Sequence, residues 1–197
     1  GANWTLATVT NTSIKYDIDV KSSAGSVTTK LNEGFEDATF PPTGWSTINV
    51  LGTNVWNRNT VIFHTGIASA SISYQSTGGE DWLISKKVAG IGAADSLVFW
   101  WKNTFSAPYP PDSLIVRVST TDSLQASFTN VVARINSAAA PVTWTRFAFS
   151  LGAYSGQNIY VAFQHLNTDG NGGFLDDVSI SGMSAGVNNV YLTGDAF

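Results

Sequence analysis

Residues 68–74 read Ala-Ser-Ala-Ser-Ile-Ser-Tyr, so that serine alternates strictly with Ala, Ile and Tyr. Successive side chains of a β-strand point to opposite faces, and this alternation is therefore typical of a strand with one face buried. A helix would instead repeat its apolar positions every three to four residues. The segment indicates a half-buried strand, and the same period of two governs most of the chain.

Further segments rich in β-branched and aromatic residues predict more strands. They are residues 96–102, 113–119, 130–136, 143–150, 158–165 and 174–180. Turn-forming Gly, Pro, Asn and Asp lie between them, and we find no convincing amphipathic helix. About ten short strands separated by turns predict an all-β fold, an antiparallel sandwich or barrel.

The length of 197 residues fits one domain, or one domain with tails. Hydrophobic residues make up 43% and charged residues 12%, which excludes a disordered chain and a coiled coil. No apolar run approaches the ~18 residues of a membrane-spanning helix. We expect a globular domain over residues 31–182, a linker or edge-strand extension over 1–30, and a C-terminal extension over 183–197.

The net charge is −4, and the ten Lys and Arg residues are scattered apart from Lys86 and Lys87. Nucleic-acid binding needs clustered basic residues, and we therefore expect no nucleic-acid partner. The absence of cysteine excludes thiol catalysis, cysteine-ligated zinc and disulfides. The N-terminus lacks the basic, then apolar, then small-residue pattern of a secretory signal, and we therefore expect either a cytoplasmic protein or a mature secreted fragment.

One carboxylate stands out in the segment 174–180, which contains Asp176. If this segment is a regular strand, Asp176 shares its face with three apolar side chains: Phe174, Val178 and Ile180. A carboxylate placed there must be neutralised, hydrogen-bonded or bound to a metal. Without cysteine the ligands would be oxygens, which suit calcium. The alternative is a carboxylate that accepts hydrogen bonds from backbone N–H groups.

A second acidic cluster, residues 33–37, opens what we interpret as the first strand of the globular part. Glu36 would be a second calcium ligand if the first and last strands are neighbours. Two facing carboxylates could instead be the acid and base of a glycosidase, which would also need a substrate cleft. Nothing else in the sequence favours catalysis, because His64 and His165 accompany no nucleophile motif. We therefore expect a protein that is not an enzyme.

Aromatic residues are the candidates for ligand binding. Parity places Trp101 in the core with Leu97 and Phe99 and leaves Trp100 on the other face of its strand. Trp100 would stack on a sugar or an apolar partner unless a loop, such as the proline-rich one at residues 108–111, covers it. Phe105 and Tyr109 flank prolines in a loop, where aromatic residues often bind ligands.

Several segments, in this order, resemble the cleaved-adhesin domain of gingipain haemagglutinins, also known as the choice-of-anchor J domain of Bacteroidetes surface proteins. The resemblance covers about residues 31–182. It is carried by residues 32–36 (Asn-Glu-Gly-Phe-Glu), 40–45 (Phe-Pro-Pro-Thr-Gly-Trp), 81–85 (Asp-Trp-Leu-Ile-Ser), 96–100 (Ser-Leu-Val-Phe-Trp), 144–147 (Trp-Thr-Arg-Phe), 151–157 and 175–178 (Leu-Asp-Asp-Val).

The resemblance implies a jelly-roll β-sandwich related to carbohydrate-binding modules and MAM-type domains, with structural calcium. Glu36 and Asp176 correspond to its calcium carboxylates. It also implies a secreted or cell-surface location. We therefore expect a non-catalytic, calcium-stabilised adhesion module of a larger bacterial protein, monomeric and without membrane insertion, that binds an extracellular protein or glycan. The alternatives are a carbohydrate-binding module that targets a linked hydrolase, and an architectural spacer.

Overall fold

A computed structural model describes residues 17–22, 25–105, 113–136, 142–183 and 188–193. The strands are β1 (Asp17–Ser22), β2 (Val27–Glu33), β3 (Ser46–Leu51), β4 (Asn57–Asn59), β5 (Ser69–Ile72), β6 (Gly79–Ile84), β7 (Ser96–Asn103), β8 (Ser113–Ser119), β9 (Asn130–Asn136), β10 (Thr145–Ser150), β11 (Tyr160–Asn167), β12 (Gly173–Met183) and β13 (Asn188–Thr193). Within these residues the only helical segments are two short 3-10 turns, Gln125–Ser127 and Gly152–Tyr154.

The chain divides into two compact units. The smaller consists of Gly1–Ser26 and Ala185–Phe197, and in it β1 pairs antiparallel with β13. The larger, Val27–Ser184, contains the other eleven strands. Strand β2 begins at Val27, inside the N-terminal segment for which the sequence left a linker and an edge strand open. No helix in the described part of the chain is long and apolar enough to cross a membrane.

Two antiparallel sheets form the larger unit. One has the order β10-β7-β12-β5-β4, with β2 also paired to β12, and the other has the order β3-β6-β11-β8-β9. Strand β12 is long enough that its first residues pair with β5 and its last with β2 along the same edge. The predicted antiparallel β-sandwich is confirmed.

The core lies between the two sheets and is built from the inward positions of each strand. Phe99 of β7 has no exposed surface and meets Phe163 of β11, in the opposite sheet, edge to face with 5.2 Å between ring centres. Edge-to-face contacts of this kind add to the stability that burial itself provides. The parity of β7 is as predicted, because Leu97 and Trp101 are in the core whereas Trp100 faces outward and is half-buried.

The face predicted for Asp176 is wrong, because β12 is not a regular strand. Its pairing with β7 shifts between Asp176 and Ser179, and Asp177 has a φ of 48°, which together define a β-bulge. The extra residue puts Leu175 and Val178 into the core and leaves Asp176 outside it. Asp176 pairs with Trp100, so the two side chains share the outer face of the six-stranded sheet.

The first and last strands of the sandwich are neighbours, as the prediction for Glu36 required. Strand β2 pairs with β12, and Glu33 lies opposite Val178. The acidic cluster, however, follows β2 rather than opening a strand, since β2 ends at Glu33. Glu36 therefore lies in a loop beside the bulge of β12.

Candidate functional site

Asp176 is completely buried although it lies on an outer face, because the loop between β4 and β5 covers it. We call residues 60–68 the β4–β5 loop. Asp176 Oδ2 accepts hydrogen bonds from the backbone N–H groups of His64 (2.7 Å) and Thr65 (3.3 Å). Its Oδ1 accepts the N–H of Asp177 at 2.7 Å. These contacts match the alternative raised from the sequence, a carboxylate bonded by backbone N–H groups.

Two more carboxylates bind the same loop. Asp177 Oδ2 lies 2.6 Å from His64 Nδ1, and Asp177 Oδ1 accepts the Thr65 hydroxyl at 2.6 Å. Glu36 Oε2 accepts the backbone N–H of Ile67 at 2.8 Å. Three carboxylates from two separate segments thus bind three residues of the loop, His64, Thr65 and Ile67. Asp177 belongs to this set and was not predicted.

The backbone is shaped for this arrangement at three positions. Phe35 and Asp177 have positive φ values of 60° and 48°, which non-glycine residues seldom adopt. Such conformations persist where the surroundings hold them, and they concentrate at functional sites. Gly66 also has a positive φ, and a Cβ there would lie 1.8 Å from Glu36 Oε1. Only glycine allows the loop to approach Glu36 this closely.

The concentration of negative charge has an electrostatic cost. The pKa of Asp176 is raised to about 6, chiefly by burial and also by the neighbouring charge of Asp177, against the opposing effect of the three backbone hydrogen bonds. Burial also raises the pKa of Glu33, although the N–H of Phe35 bonds its Oε1 at 2.7 Å. Arg58 lies nearby, but it donates hydrogen bonds to the carbonyl oxygens of Phe35 and Glu36. A cation would offset this charge.

The donor chemistry suits calcium, but the grouping differs from the predicted one. A Cβ atom added at Gly34 would lie 3.5 Å from Glu36 Oε1 and 3.9 Å from Asp177 Oδ1. These two oxygens therefore border the same space. Oxygen atoms from carboxylates and hydroxyls are what calcium prefers. Among the described residues no group of three or more His, Cys, Asp or Glu side chains is arranged to hold a metal ion. The predicted pair, Glu36 and Asp176, is therefore linked only indirectly: both carboxylates accept hydrogen bonds from the β4–β5 loop.

Trp100 is covered, but by a different segment from the one considered in the sequence analysis. The His64 ring stacks on Trp100 with 3.8 Å between ring centres and 19° between planes. Trp144 approaches His64 edge-on at 5.7 Å, and Phe174 lies 6.5 Å from Trp144. Trp100 thus lies directly beneath the β4–β5 loop. The proline-rich loop lies outside the described residues.

Of the other two predicted ligand-binding residues, Phe105 and Tyr109, only Phe105 is among the described residues. Phe105 is 44% exposed, and its backbone N–H bonds Asn171 Oδ1 at 2.7 Å. Tyr109 lies outside the described residues. The β4–β5 loop itself presents three exposed apolar side chains that the sequence analysis did not single out: Val61 (82% exposed), Phe63 (37%) and Ile67 (64%).

A fixed loop with exposed apolar side chains on a β-sandwich defines a binding module, a class in which recognition residues lie on loops held by a rigid scaffold. Within that class the chain belongs to the cleaved adhesin domain family, whose model matches residues 28–180. This confirms the resemblance stated from the sequence. Family and fold together make the chain an adhesion or binding module, and the family is a non-catalytic one.

The relatives support this assignment. Hemagglutinin A of Porphyromonas gingivalis is 29% identical over 194 residues, which cover 82% of this chain but 7% of that protein. The K3 cleaved adhesin domain of Lys-gingipain from the same species is 26% identical, with a TM-score of 0.65 over 79% of this chain and 99% of the domain. The chain thus spans a small fraction of the curated relative and nearly all of the solved domain.

Carbohydrate-binding modules share the fold. A module of family 61 solved with β-1,4-galactotriose has a TM-score of 0.54 and 15% identity, over 75% of this chain and 92% of the module. The CBM22-1 xylan-binding domain of Paenibacillus barcinonensis Xyn10C has a TM-score of 0.51 and 14% identity, over 83% and 97%. At this level of identity the likeness concerns the fold alone.

Proposed function

We propose that this chain is a calcium-stabilised adhesion module of a secreted or cell-surface protein, and that it recognises an extracellular protein through the β4–β5 loop. The observation that carries the proposal is the anchoring of this loop by Glu36, Asp176 and Asp177. A loop held at three of its residues, His64, Thr65 and Ile67, loses little conformational entropy on binding, which favours affinity.

The exposed side chains of the loop supply the contact surface. Val61, Phe63 and Ile67 leave water when a partner binds, and this burial of apolar area provides the driving force. A protein partner fits these apolar side chains better than a polar glycan does.

Calcium belongs to the proposal as a structural ion. It would lie between the carboxylates of Glu36 and Asp177, beside Gly34, and offset the charge that these groups and Asp176 concentrate. Its role would be to hold the β4–β5 loop rather than to take part in a reaction. Asp176 would act indirectly, by fixing the backbone of His64 and Thr65.

A carbohydrate-binding module is the second candidate, and the cluster of Trp100, His64 and Trp144 favours it. Aromatic rings are the usual platforms for sugar stacking. Trp100 itself is covered by His64, however, so that a sugar would have to use Trp144 or displace the loop. Loss of glycan binding in the Trp144→Ala variant, with the fold intact, would support this candidate over protein adhesion.

The test is a binding screen on an array of extracellular-matrix proteins and glycans, with calcium and with a chelator. Ile67→Ser is compared with Leu124→Ser, since Ile67 is 64% exposed and Leu124, which is not on the β4–β5 loop, is 67% exposed. We expect calcium-dependent capture of a protein that Ile67→Ser weakens at least about tenfold and Leu124→Ser leaves unchanged, while both variants keep their stability. Equal effects of the two variants would contradict the assignment to the loop. If the folded protein binds nothing on the array, the result would favour the alternative that this domain is an architectural spacer.

A further inference from the structure

The outer face of the five-stranded sheet holds a second constellation, separate from the β4–β5 loop. Glu80, Trp82 and Ile84 of β6 point to this face, and the segment that contains Phe128 covers part of it. Trp82 and Phe128 are almost completely buried, with 5.8 Å between ring centres. Around Glu80, at the opposite end of the face, the described residues leave a cavity of about 420 Å³.

The register of the sheet explains which residues line this cavity. Leu51, Glu80, Leu166 and Ser113 lie directly opposite one another on four adjacent strands, so their side chains form a row across the outer face. Thr168 closes the row at the end of β11. The cavity thus has aliphatic walls, two hydroxyl groups and one carboxylate. A volume of this size is within the range of small-ligand sites.

The Glu80 carboxylate is fixed through one of its oxygens. Oε1 accepts hydrogen bonds from Trp82 Nε1 (2.9 Å), Gln164 Nε2 (2.8 Å) and Gln125 Nε2 (3.3 Å). Gln164 is oriented in turn by Arg117, whose Nε donates to Gln164 Oε1 at 2.7 Å. No described residue forms a hydrogen bond with Oε2. Glu80 is also the only charged side chain among the described residues that line the cavity.

We propose that this cavity binds an alkylammonium group, the side chain of a lysine presented by a partner protein. A carboxylate with both oxygens available would favour the two-pronged guanidinium of arginine. Here three donors already occupy Oε1, and the single remaining oxygen suits the compact charge of an ammonium group. The methylene stem of lysine would lie between Leu51 and Leu166, and the hydroxyl of Thr168 would accept one of its remaining N–H groups.

The inference rests on the proposed function only in that the lysine belongs to a protein partner. The site itself is tested without a partner, by NMR titration of the labelled domain with N-acetyl-lysine methylamide. We expect saturable shifts at Gly78, Glu80, Leu166 and Thr168, with a Kd on the order of 1 mM, as befits a single ion pair in an open cavity. The norleucine analogue, which lacks the ammonium group, should cause no saturable shift. The arginine analogue should bind at least about fivefold more weakly.

Two variants separate the site from the fold. Glu80→Gln keeps the size of the side chain and should abolish the shifts, and the indole N–H signal of Trp82 reports whether the surrounding network survives. If this variant does not fold, Leu51→Lys supplies an internal ammonium group at the cavity and should block the ligand. Val50→Lys is its control, since it adds the same charge at an exposed neighbouring position and should leave binding intact.

The proposal is overturned if the lysine analogue causes no saturable shift, if norleucine or arginine binds as well as lysine, or if Leu51→Lys and Val50→Lys behave alike. Capture of a protein on the array by a domain that ignores the lysine analogue would leave the proposed function standing and remove this site. Binding of the lysine analogue without capture of any protein on the array would leave this site standing and remove the proposed function.

Discussion

On each outer face of the sandwich a segment of the chain covers a tryptophan, but the charged groups around the two segments differ. On the six-stranded sheet, the β4–β5 loop covers Trp100 and is held by three carboxylates. On the five-stranded sheet, residues near Phe128 cover Trp82, and Glu80 accepts a hydrogen bond from Gln164, which in turn accepts one from the cation Arg117. The guanidinium of Arg117 also lies 5.6 Å from the Trp82 ring centre.

This difference predicts how the stability of each face responds when a cation is added or removed. A network that contains its own cation holds its geometry without an added ion. A loop fixed by carboxylates alone gains stability from any cation that neutralises them and loses it when that cation is removed. We therefore expect calcium to stabilise the face that carries the β4–β5 loop and to leave the other face unchanged.

The largest expected effect comes from Asp176→Ala. The substitution leaves the N–H groups of His64, Thr65 and Asp177 without their acceptor, at roughly 1–3 kcal/mol for each one that stays buried. We expect a loss of about 3–5 kcal/mol and a fall in Tm of about 10 °C by circular dichroism. Asp37→Ala is the control because Asp37 is exposed in the same acidic segment as Glu36. Equal losses in the two variants would remove Asp176 as the anchor.

Calcium removal should have the next largest effect. At a calcium concentration about 100 times its Kd, binding adds roughly 2.7 kcal/mol to the free energy of unfolding, and a chelator abolishes this gain. We expect Glu36→Gln and Asp177→Asn to reduce the difference in Tm between calcium and chelator. Glu80→Gln, on the opposite face, should preserve it. A wild-type Tm that does not change with calcium would contradict the proposed ion.

The pH dependence of stability distinguishes the two faces further. In chelator, the pKa of Asp176 is raised from 3.8 to about 6 in the folded state. The folded protein therefore binds more protons than the unfolded chain between these values, and the stability contributed by this group is lost as pH rises from 4 through 6.

Comparison with Asp176→Asn isolates this group. The free energy of unfolding of the wild type relative to the variant should fall by on the order of 1–2 kcal/mol between pH 4 and pH 7, as urea unfolding would measure. His165, with a pKa lowered to about 4 by burial, and Asp81, with a pKa raised to about 6, titrate in both proteins and cancel. A relative stability that rises with pH would show that the hydrogen bonds outweigh burial at Asp176.

The smallest effect is expected on the opposite face. Arg117→Met keeps the apolar stem but removes the hydrogen bonds to Gln164 and to the carbonyl of Phe128. We expect a loss of about 1 kcal/mol in the free energy of unfolding and an unchanged response of Tm to calcium. A changed calcium response would mean that the two faces are coupled.

The sequence was sufficient for the fold because the strands alternate so regularly. Residues 113–119 and 130–136 form β8 and β9 with the predicted bounds, and the faces of Trp100 and Trp101 follow from parity alone. The family resemblance added the jelly-roll architecture and the acidic positions. Both kinds of inference rely on patterns that a regular backbone preserves.

The site could not be predicted to the same extent, because it depends on an irregularity. One extra residue in the β12–β7 pairing, near Asp177, reverses the face of Asp176, and no residue type in that segment announces the bulge. The contact between the β4–β5 loop and Asp176 spans more than a hundred residues of sequence. Gly66 was the one available signal, since its positive φ and its contact with Glu36 both require glycine.

Hydrogen–deuterium exchange in calcium and in chelator tests the central claim most directly, because it reports both faces in one experiment. We predict that the amides of His64, Thr65 and Ile67 are protected in calcium and exchange markedly faster in chelator, while those of Ser127 and Phe128 exchange equally in both. Equal exchange of the β4–β5 loop in the two conditions, or a matching change at Phe128, would contradict the claim that a carboxylate-held cation stabilises this loop specifically.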